Sequence, residues 1–224
     1  MTPAGFDRRV ALLTEVGVAS APAHAKGRDA IKAAIPHARV GMTLALQQLT
    51  PGTGGEALYR RIFAEAQAPF CAAASSDDFL GVQTCNKFET GAEDDLPAPA
   101  DAMKDMFGYP TQPGALAAVV GEACTHAKVP IFVTEHGNNT HDDAQRTQHL
   151  RAAIGGLEAE IAAGLPAQGY LHRSLLDNFE WSSGDVPRFG LVAVDRKTFV
   201  RTPKPSLKAY GSLVRNLRRN RAWA

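Results

Sequence analysis

Apolar residues recur along this chain in two patterns, one typical of strands and one typical of helices. Short runs rich in branched and aromatic residues predict four strands, and longer segments with helical spacing separate them. The predicted strands are residues 39–49, 78–84, 129–135 and 168–175. The predicted helices are residues 6–20 with Asp7 as cap, 27–35, 56–70, 113–127, 142–164 and 202–219 with Thr202 as cap. Strands alternating with helices indicate βαβ units, a parallel sheet and therefore an α/β fold.

Length and charge restrict the class of protein. The 224 residues allow one sizeable core, and no linker rich in glycine or serine divides them, so we expect one domain over residues 1–224. A formal charge of +1 argues against a bulk binder of nucleic acid or anionic membranes. No apolar run reaches the ~18 residues that a membrane span needs. The three cysteines are odd in number, which indicates free thiols and a cytoplasmic location.

Carboxylates follow two of the predicted strands. In parallel α/β folds, functional groups lie just past the carboxyl ends of the strands. Glu135 ends the run "PIFVTE", and the segment "LLDNFEW" after the last strand carries Asp177, Glu180 and Trp181. A carboxylate at a strand end can act as nucleophile, general base, metal ligand or structural cap. For Glu135, pairing with an arginine is the structural alternative.

A second acidic cluster lies nearby. His141, Asp142 and Asp143 have the residue types of a metal site. They open a predicted helix, however, where acids stabilise the helix dipole. We therefore predict no metal site and no cofactor for this chain.

Four sequence motifs occur in a fixed order: "VTEHG" at 133–137, "HRSLLDNFEW" at 172–181, "RFGL" at 188–191 and "RTPK" at 201–204. In this order and spacing they resemble the C-terminal half of family one glycoside hydrolases, the β-glucosidases. The segments 37–47 and 77–84 resemble the fifth and sixth barrel strands of that family. Residues 3–12 resemble the loop and helix after its fourth strand, so the resemblance covers nearly the whole chain.

The resemblance implies a fold and a function. The fold would be half of a (β/α)8 TIM barrel, comprising strands five to eight with their helices. The function would be that of a β-glucosidase-like retaining glycoside hydrolase acting on a β-glucoside or a related sugar. Glu135 stands at the nucleophile position of the family. The implied substrate-binding residues are Glu180, Trp181, Phe189 and Arg173.

The chain also departs from the family pattern. The acid/base motif Asn-Glu-Pro is absent from the 224 residues. His136 replaces the asparagine that follows the nucleophile in the family. Cys85 replaces a tyrosine that hydrogen-bonds the nucleophile, and Arg173 replaces a tryptophan. Arg173 could instead pair with Glu135, holding it ionised and quenching it as a nucleophile if the pair is tight.

Two hypotheses from different classes follow. In the first, the chain is an enzyme half that needs an N-terminal half or a second copy of itself, and is weak or inactive alone. In the second, it is a non-catalytic half-barrel, a scaffold or sugar-binding pseudoenzyme. Four strands leave two exposed sheet edges, so a homo-oligomer or a complementing half-barrel is expected under either hypothesis.

Overall fold

The structure, a computed structural model, describes residues 21–220 and contains helices and short strands in alternation. The predicted helix at 6–20 and its cap Asp7 lie outside the described residues. The strands are β1 (Gly41–Ala45), β2 (Gln48–Pro51), β3 (Phe79–Gln83), β4 (Lys87–Thr90), β5 (Ile131–His136), β6 (Ala167–His172), β7 (Val192–Val194) and β8 (Arg201–Pro203). The helices are α1 (21–34), α2 (Glu56–Ile62), α3 (Ala68–Ala73), α4 (Ala115–Ala127), α5 (Asp143–Ala162) and α6 (Pro205–Asn220).

The main sheet has four parallel strands in the order β1-β3-β5-β6. The prediction of a parallel α/β fold is thus confirmed, and each of the four predicted strands overlaps one strand of this sheet. Leu80, Val82, Ile131 and Val133 of the two central strands are fully buried in the largest apolar core. Residues of α4 and α5, such as Leu116 and Leu157, complete that core, because a parallel sheet must be covered by its crossover helices.

Long side chains cover the opposite face of the sheet. Arg39, just before β1, donates a hydrogen bond of 2.9 Å to Gln168 of β6. Three strand spacings of about 4.8 Å each separate β1 from β6, so the two long side chains together span this face of the sheet. The Arg39 guanidinium also lies over the rings of Phe79 and Phe132, which meet edge to face.

Two small sheets were not predicted. Strands β2 and β4 pair in parallel, and β7 and β8 pair antiparallel. The prediction of Thr202 as a helix cap is wrong, because Thr202 pairs with Ala193 in the second of these sheets and the helix begins at Pro205. These strands have three or four residues each, too few for a periodic pattern to be recognised.

The predicted helix at 56–70 extends to Ala73. It consists of α2, a π-helical segment over Phe63–Gln67, and α3. Within residues 21–220, no helix combines the length and the apolar character needed to cross a bilayer.

Candidate active site

Four of the five predicted site residues line one cleft of about 260 Å³ at the carboxyl ends of β3, β5 and β6. Glu135 comes from β5, Arg173 follows β6, and Glu180 and Phe189 come from the segments after β6. Trp181 does not line this cleft. It is the first residue of a one-turn helix, and it is 89% exposed. The described residues of the cleft are Cys85, Asn86, Asp105, Phe107, Tyr109, Thr111, Glu135, Gly137, Asn138, Asn139, Arg173, Glu180 and Phe189.

An irregularity in β5 directs Glu135 into the cleft. Val133 is fully buried in the core beneath the helices, and Thr134 contacts the opposite face beside Gly81. Strict alternation would then turn Glu135 towards the helices. The pairing of β5 with β6 shifts register between Val133 and His136, however, and His136 is the residue that is buried. Such irregularities re-aim side chains near functional sites, and here the one in β5 places Glu135 in the cleft.

Gly137 brings the ends of two strands together. The amide of Arg173 donates to the carbonyl of His136 over 2.9 Å. A Cβ atom at position 137 would lie 1.8 Å from the carbonyl oxygen of Arg173, so a larger residue would force the strands apart. The glycine of the "EHG" motif therefore allows Glu135 and Arg173 to lie side by side.

Arg173 pairs with both glutamates of the cleft. Its Nη1 donates to Oε1 of Glu135 over 2.5 Å, and its Nη2 donates to Oε1 of Glu180. The guanidinium carbon lies 4.6 Å from the ring centre of Phe189. The hypothesis that Arg173 pairs with Glu135 is confirmed, and the contact with Glu180 was not predicted. These charge-assisted hydrogen bonds fix the relative positions of three side chains from different segments.

The ion pair is partly buried. The side chains of Glu135, Arg173 and Glu180 are 29%, 23% and 11% exposed. Burial of Arg173 lowers its pKa, but hydrogen bonds and charge attraction from Glu135 and Glu180 outweigh burial, so the pKa is raised. Arg173 is therefore a permanent cation, and Glu135 faces a fixed positive charge.

The sequence analysis missed several residues of the cleft, among them Asp105, Asn138 and Asn139. The Asp105 carboxylate accepts hydrogen bonds from the amides of Phe107 and Tyr109, and burial raises its pKa. Asn138 and Asn139 directly follow the strand end that carries Glu135, and this proximity was the available signal. Asp105 lies far along the chain in a loop without periodicity, so no local pattern indicated it.

Cys85 also lines the cleft, at the position where the family resemblance expects a tyrosine. Burial raises the pKa of its thiol to about 11. At neutral pH this side chain is therefore an uncharged thiol, and it adds neither a charge nor a phenolic hydrogen bond to the site.

A cluster of three histidines, two of them buried and His172 half-buried, supports the end of β5 from behind. His136 Nδ1 lies 2.9 Å from the Tyr170 hydroxyl, and its Nε2 lies 3.3 Å from Nε2 of His149, with the two rings stacked. His172 Nδ1 lies 3.4 Å from the same hydroxyl. Burial lowers the pKa of His149 to about 4, and burial together with Arg146 and His149 lowers that of His172 to about 4. Burial and the two neighbouring histidines lower the pKa of His136 well below its ordinary value.

This cluster is expected to make the fold sensitive to acid between about pH 6.5 and pH 4. In this window the unfolded chain binds protons that the folded histidines, with pKa values lowered to about 4, do not. The free energy of unfolding therefore falls as the pH falls, by at most about 3 kcal/mol for each such histidine. Urea unfolding at several pH values would measure this slope. His149→Gln should make it shallower, and an unchanged slope would show that the cluster does not control acid stability.

Asp177 is another carboxylate that follows a strand, but it is buried and holds neighbouring segments together. It is 3% exposed, and its Oδ1 accepts hydrogen bonds of 2.9 Å from Lys204 Nζ and from the amide of Gly190. The Arg188 guanidinium lies 4.0 Å from its other oxygen. Asp177 thus connects the segment after β6 with the "RFGL" and "RTPK" motifs.

The second acidic cluster opens a helix, as predicted. Asp142 is the N-cap of α5 and accepts from the amides of Ala144 and Gln145. Asp143 binds the amide and the hydroxyl of Ser206 at the start of α6. Across residues 21–220, no group of three or more histidine, cysteine or acidic side chains is arranged to hold a metal ion.

Comparison with known proteins identifies relatives of this chain. The model of Glycosyl hydrolase family 1 matches residues 101–218, just over half of the sequence. Beta-glucosidase A of Thermotoga maritima is 31% identical over 154 residues, which are 62% of this chain and 34% of that protein. The galactolipid galactosyltransferase SFR2 of Arabidopsis thaliana is 38% identical over 96 residues, which are 42% of this chain and 15% of that protein.

Solved structures agree with these relatives. The chain superposes on the crystal structure of the beta-glycosidase BGL167 with a TM-score of 0.85 and 38% sequence identity. The match covers 88% of this chain and 47% of the BGL167 chain. The chain thus has an α/β fold that matches TIM-barrel β-glycosidases. It spans about half the length of the solved structures and about a third or less of the two curated relatives.

Proposed function

The chain belongs to glycosyl hydrolase family 1, and from this premise we propose that it carries the nucleophile of a β-glucosidase-like retaining glycoside hydrolase. The nucleophile is Glu135. The observation that carries the proposal is the position of its carboxylate, at the carboxyl end of a parallel strand and in one cleft with Glu180. A glutamate held in this way can attack the anomeric carbon of a sugar, while Glu180 accepts hydrogen bonds from the sugar hydroxyls.

We further propose that the chain is one half-barrel unit over residues 1–224, comprising the fifth to eighth strands of the family barrel. Its four parallel strands and their order support this proposal. A retaining mechanism needs a second carboxyl about 5–5.5 Å from the first, to act as acid and base. In this proposal a complementing half-barrel, or a second copy of this chain, meets the outer edges of β1 and β6, which pair with no further strand among residues 21–220. The three free cysteines support an action in the cytoplasm.

One observation favours the alternative, a non-catalytic half-barrel that binds sugars. Arg173 already pairs with Glu135 and Glu180, so the proposed nucleophile has a cation at its oxygen. An ion pair in this position stabilises the carboxylate and lowers its reactivity. Under this alternative the cleft binds a sugar but does not cleave it.

The two possibilities are distinguished by hydrolysis of an aryl β-glucoside, measured together with the mass in solution. We expect the isolated chain to be assembled and to turn over far more slowly than the ~10 per second typical of enzymes, because the second carboxyl is missing. Addition of an N-terminal half-barrel from a family member should raise the rate. Leu171 of β6 is 57% exposed, and Leu171→Lys should reduce assembly because a charge on an edge strand opposes pairing with another strand.

Two outcomes would contradict this proposal. A compact monomer with a turnover typical of enzymes would mean that the acid is present in this chain. Sugar binding without any hydrolysis, even after complementation, would favour the non-catalytic half-barrel.

A further inference from the structure

The cleft around Glu135 carries an excess of negative charge. The described residues that line it include three carboxylates, Asp105, Glu135 and Glu180, and one cation, Arg173. When all are ionised, the negative side chains outnumber the positive one by two. One net negative charge remains even when Asp105, whose pKa is raised by burial, holds a proton. A concave site lined by charges of one sign concentrates ligands of the opposite sign.

Arg173 shows how a cation is held in this cleft. Two carboxylates accept from its guanidinium, and the ring of Phe189 lies 4.6 Å below it. Carboxylates combined with an aromatic face form a favourable environment for ammonium groups as well. A ligand ammonium that pairs with Glu135 would leave Arg173 paired with Glu180. Each glutamate would then have its own cation.

A neutral or an anionic sugar lacks this compensation. A neutral sugar must displace Arg173 from Glu135 and offers only hydroxyl groups in return. An anionic sugar meets the surplus of carboxylates. Nε of Arg173 has no hydrogen-bond partner among residues 21–220, but this atom is buried. Both terminal nitrogens of Arg173 are engaged, and two glutamates lie beside them.

We propose that the cleft selects amino sugars, that is β-glycosides whose sugar carries a protonated amine, and that Arg173 is the specificity-determining residue that competes for Glu135. This inference rests on the proposed sugar-binding function and adds the class of substrate. Electrostatic complementarity of this kind discriminates between ligands more strongly than it raises affinity.

The test compares the binding of matched methyl β-glycosides to the full chain by NMR titration. The probes are the glucoside, the 2-amino-2-deoxy and 6-amino-6-deoxy glucosides, and the glucuronide. We expect at least one amino glycoside to bind about tenfold more tightly than the glucoside, and the glucuronide to bind most weakly. The preference should shrink at about 0.5 M salt, where charges at a partly exposed site are screened.

Variants of Arg173 test whether this residue competes with the ligand ammonium for Glu135. Arg173→Met should raise the affinity for the amino glycoside about three- to tenfold and change that for the glucoside less. Arg173→Lys should lie between the two. Arg151→Met, which removes an exposed cation of α5, is the matched control and should leave all affinities unchanged.

The outcomes separate this inference from the proposed function. Equal binding of the neutral glucoside and the amino glycosides would overturn the charge selectivity and leave the sugar site standing. Tightest binding of the glucuronide, lost in Arg173→Met, would make Arg173 an anion receptor and overturn the inference. If no glycoside binds, the proposed function fails and this inference with it. The series on the unaltered chain decides the selectivity even if Arg173→Met does not fold.

Discussion

Replacement of Glu135 by glutamine is expected to reduce glycoside hydrolysis by at least about 10³-fold in a complemented barrel, and to abolish any residual hydrolysis by the isolated chain. The amide has the shape of the carboxylate but cannot attack the anomeric carbon, so the covalent step is lost. The rate of aryl β-glucoside hydrolysis, with binding of the glucoside measured separately, tests this. Glu160→Gln makes the same chemical change at an exposed residue of α5 and should keep full activity.

The same variant should change the free energy of unfolding by no more than about 1 kcal/mol. Arg173 keeps its contact with Glu180, and the partly exposed pair with Glu135 is screened by solvent. Thermal or urea unfolding would measure this change. A variant that unfolds several degrees earlier and keeps its activity would show that Glu135 is a structural ion-pair residue, and the nucleophile assignment would be wrong.

Asp177→Ala is expected to lower the free energy of unfolding by about 3–5 kcal/mol, the largest effect on stability that we predict. The substitution leaves the amide of Gly190 without its acceptor, and it leaves Lys204 without its ion-pair partner and with only the carbonyl of Gly190 as acceptor. Urea unfolding of the variant would measure the loss. Asp177→Asn retains an oxygen for Gly190 but not the charge, and its effect should be smaller.

A second substitution makes this test specific. Lys204→Met in the Asp177→Ala background removes the unpaired cation and should recover part of the lost stability. If Asp177→Ala costs less than about 1 kcal/mol, the pair is solvated and the structural role assigned to Asp177 is wrong. We thus expect substitution of Glu135 to change the free energy of unfolding little and substitution of Asp177 to lower it strongly, although both residues follow apolar strands in the sequence.

Local patterns predicted the main elements of this fold because each pattern reflects a local constraint. The central strands are apolar runs, since a parallel sheet is covered by its crossover helices. The helix at 142–164 was found through its acidic start, and the structure shows that Asp142 is its N-cap. The small strands β2, β4, β7 and β8 were missed because each consists of at most four residues and depends on a partner distant in the sequence.

The candidate site was predicted in part for the same reason. Glu135 could be placed at a strand end from its own neighbours, because it ends an apolar run and Gly137 follows two residues later, but its role as nucleophile came from the family resemblance. A pair with Arg173 could be suggested, but not the second contact of Arg173 with Glu180, which depends on how the segment after β6 returns to the strand end. Trp181 was grouped with Glu180 through the family resemblance, yet of these two residues only Glu180 lines the cleft.

The sequence alone determined that a glutamate would lie at the carboxyl end of a buried parallel strand, because that position follows from the spacing of apolar residues and the glycine after them. Only the tertiary structure decided which way this glutamate points, which cation it meets and which histidines support it. Three features join residues from separate segments: the register shift in β5, the ion pairs of Arg173 with two glutamates, and the stacking of His136 on His149. Such contacts depend on the packing of the whole sheet and its helices, which no local pattern of residues encodes.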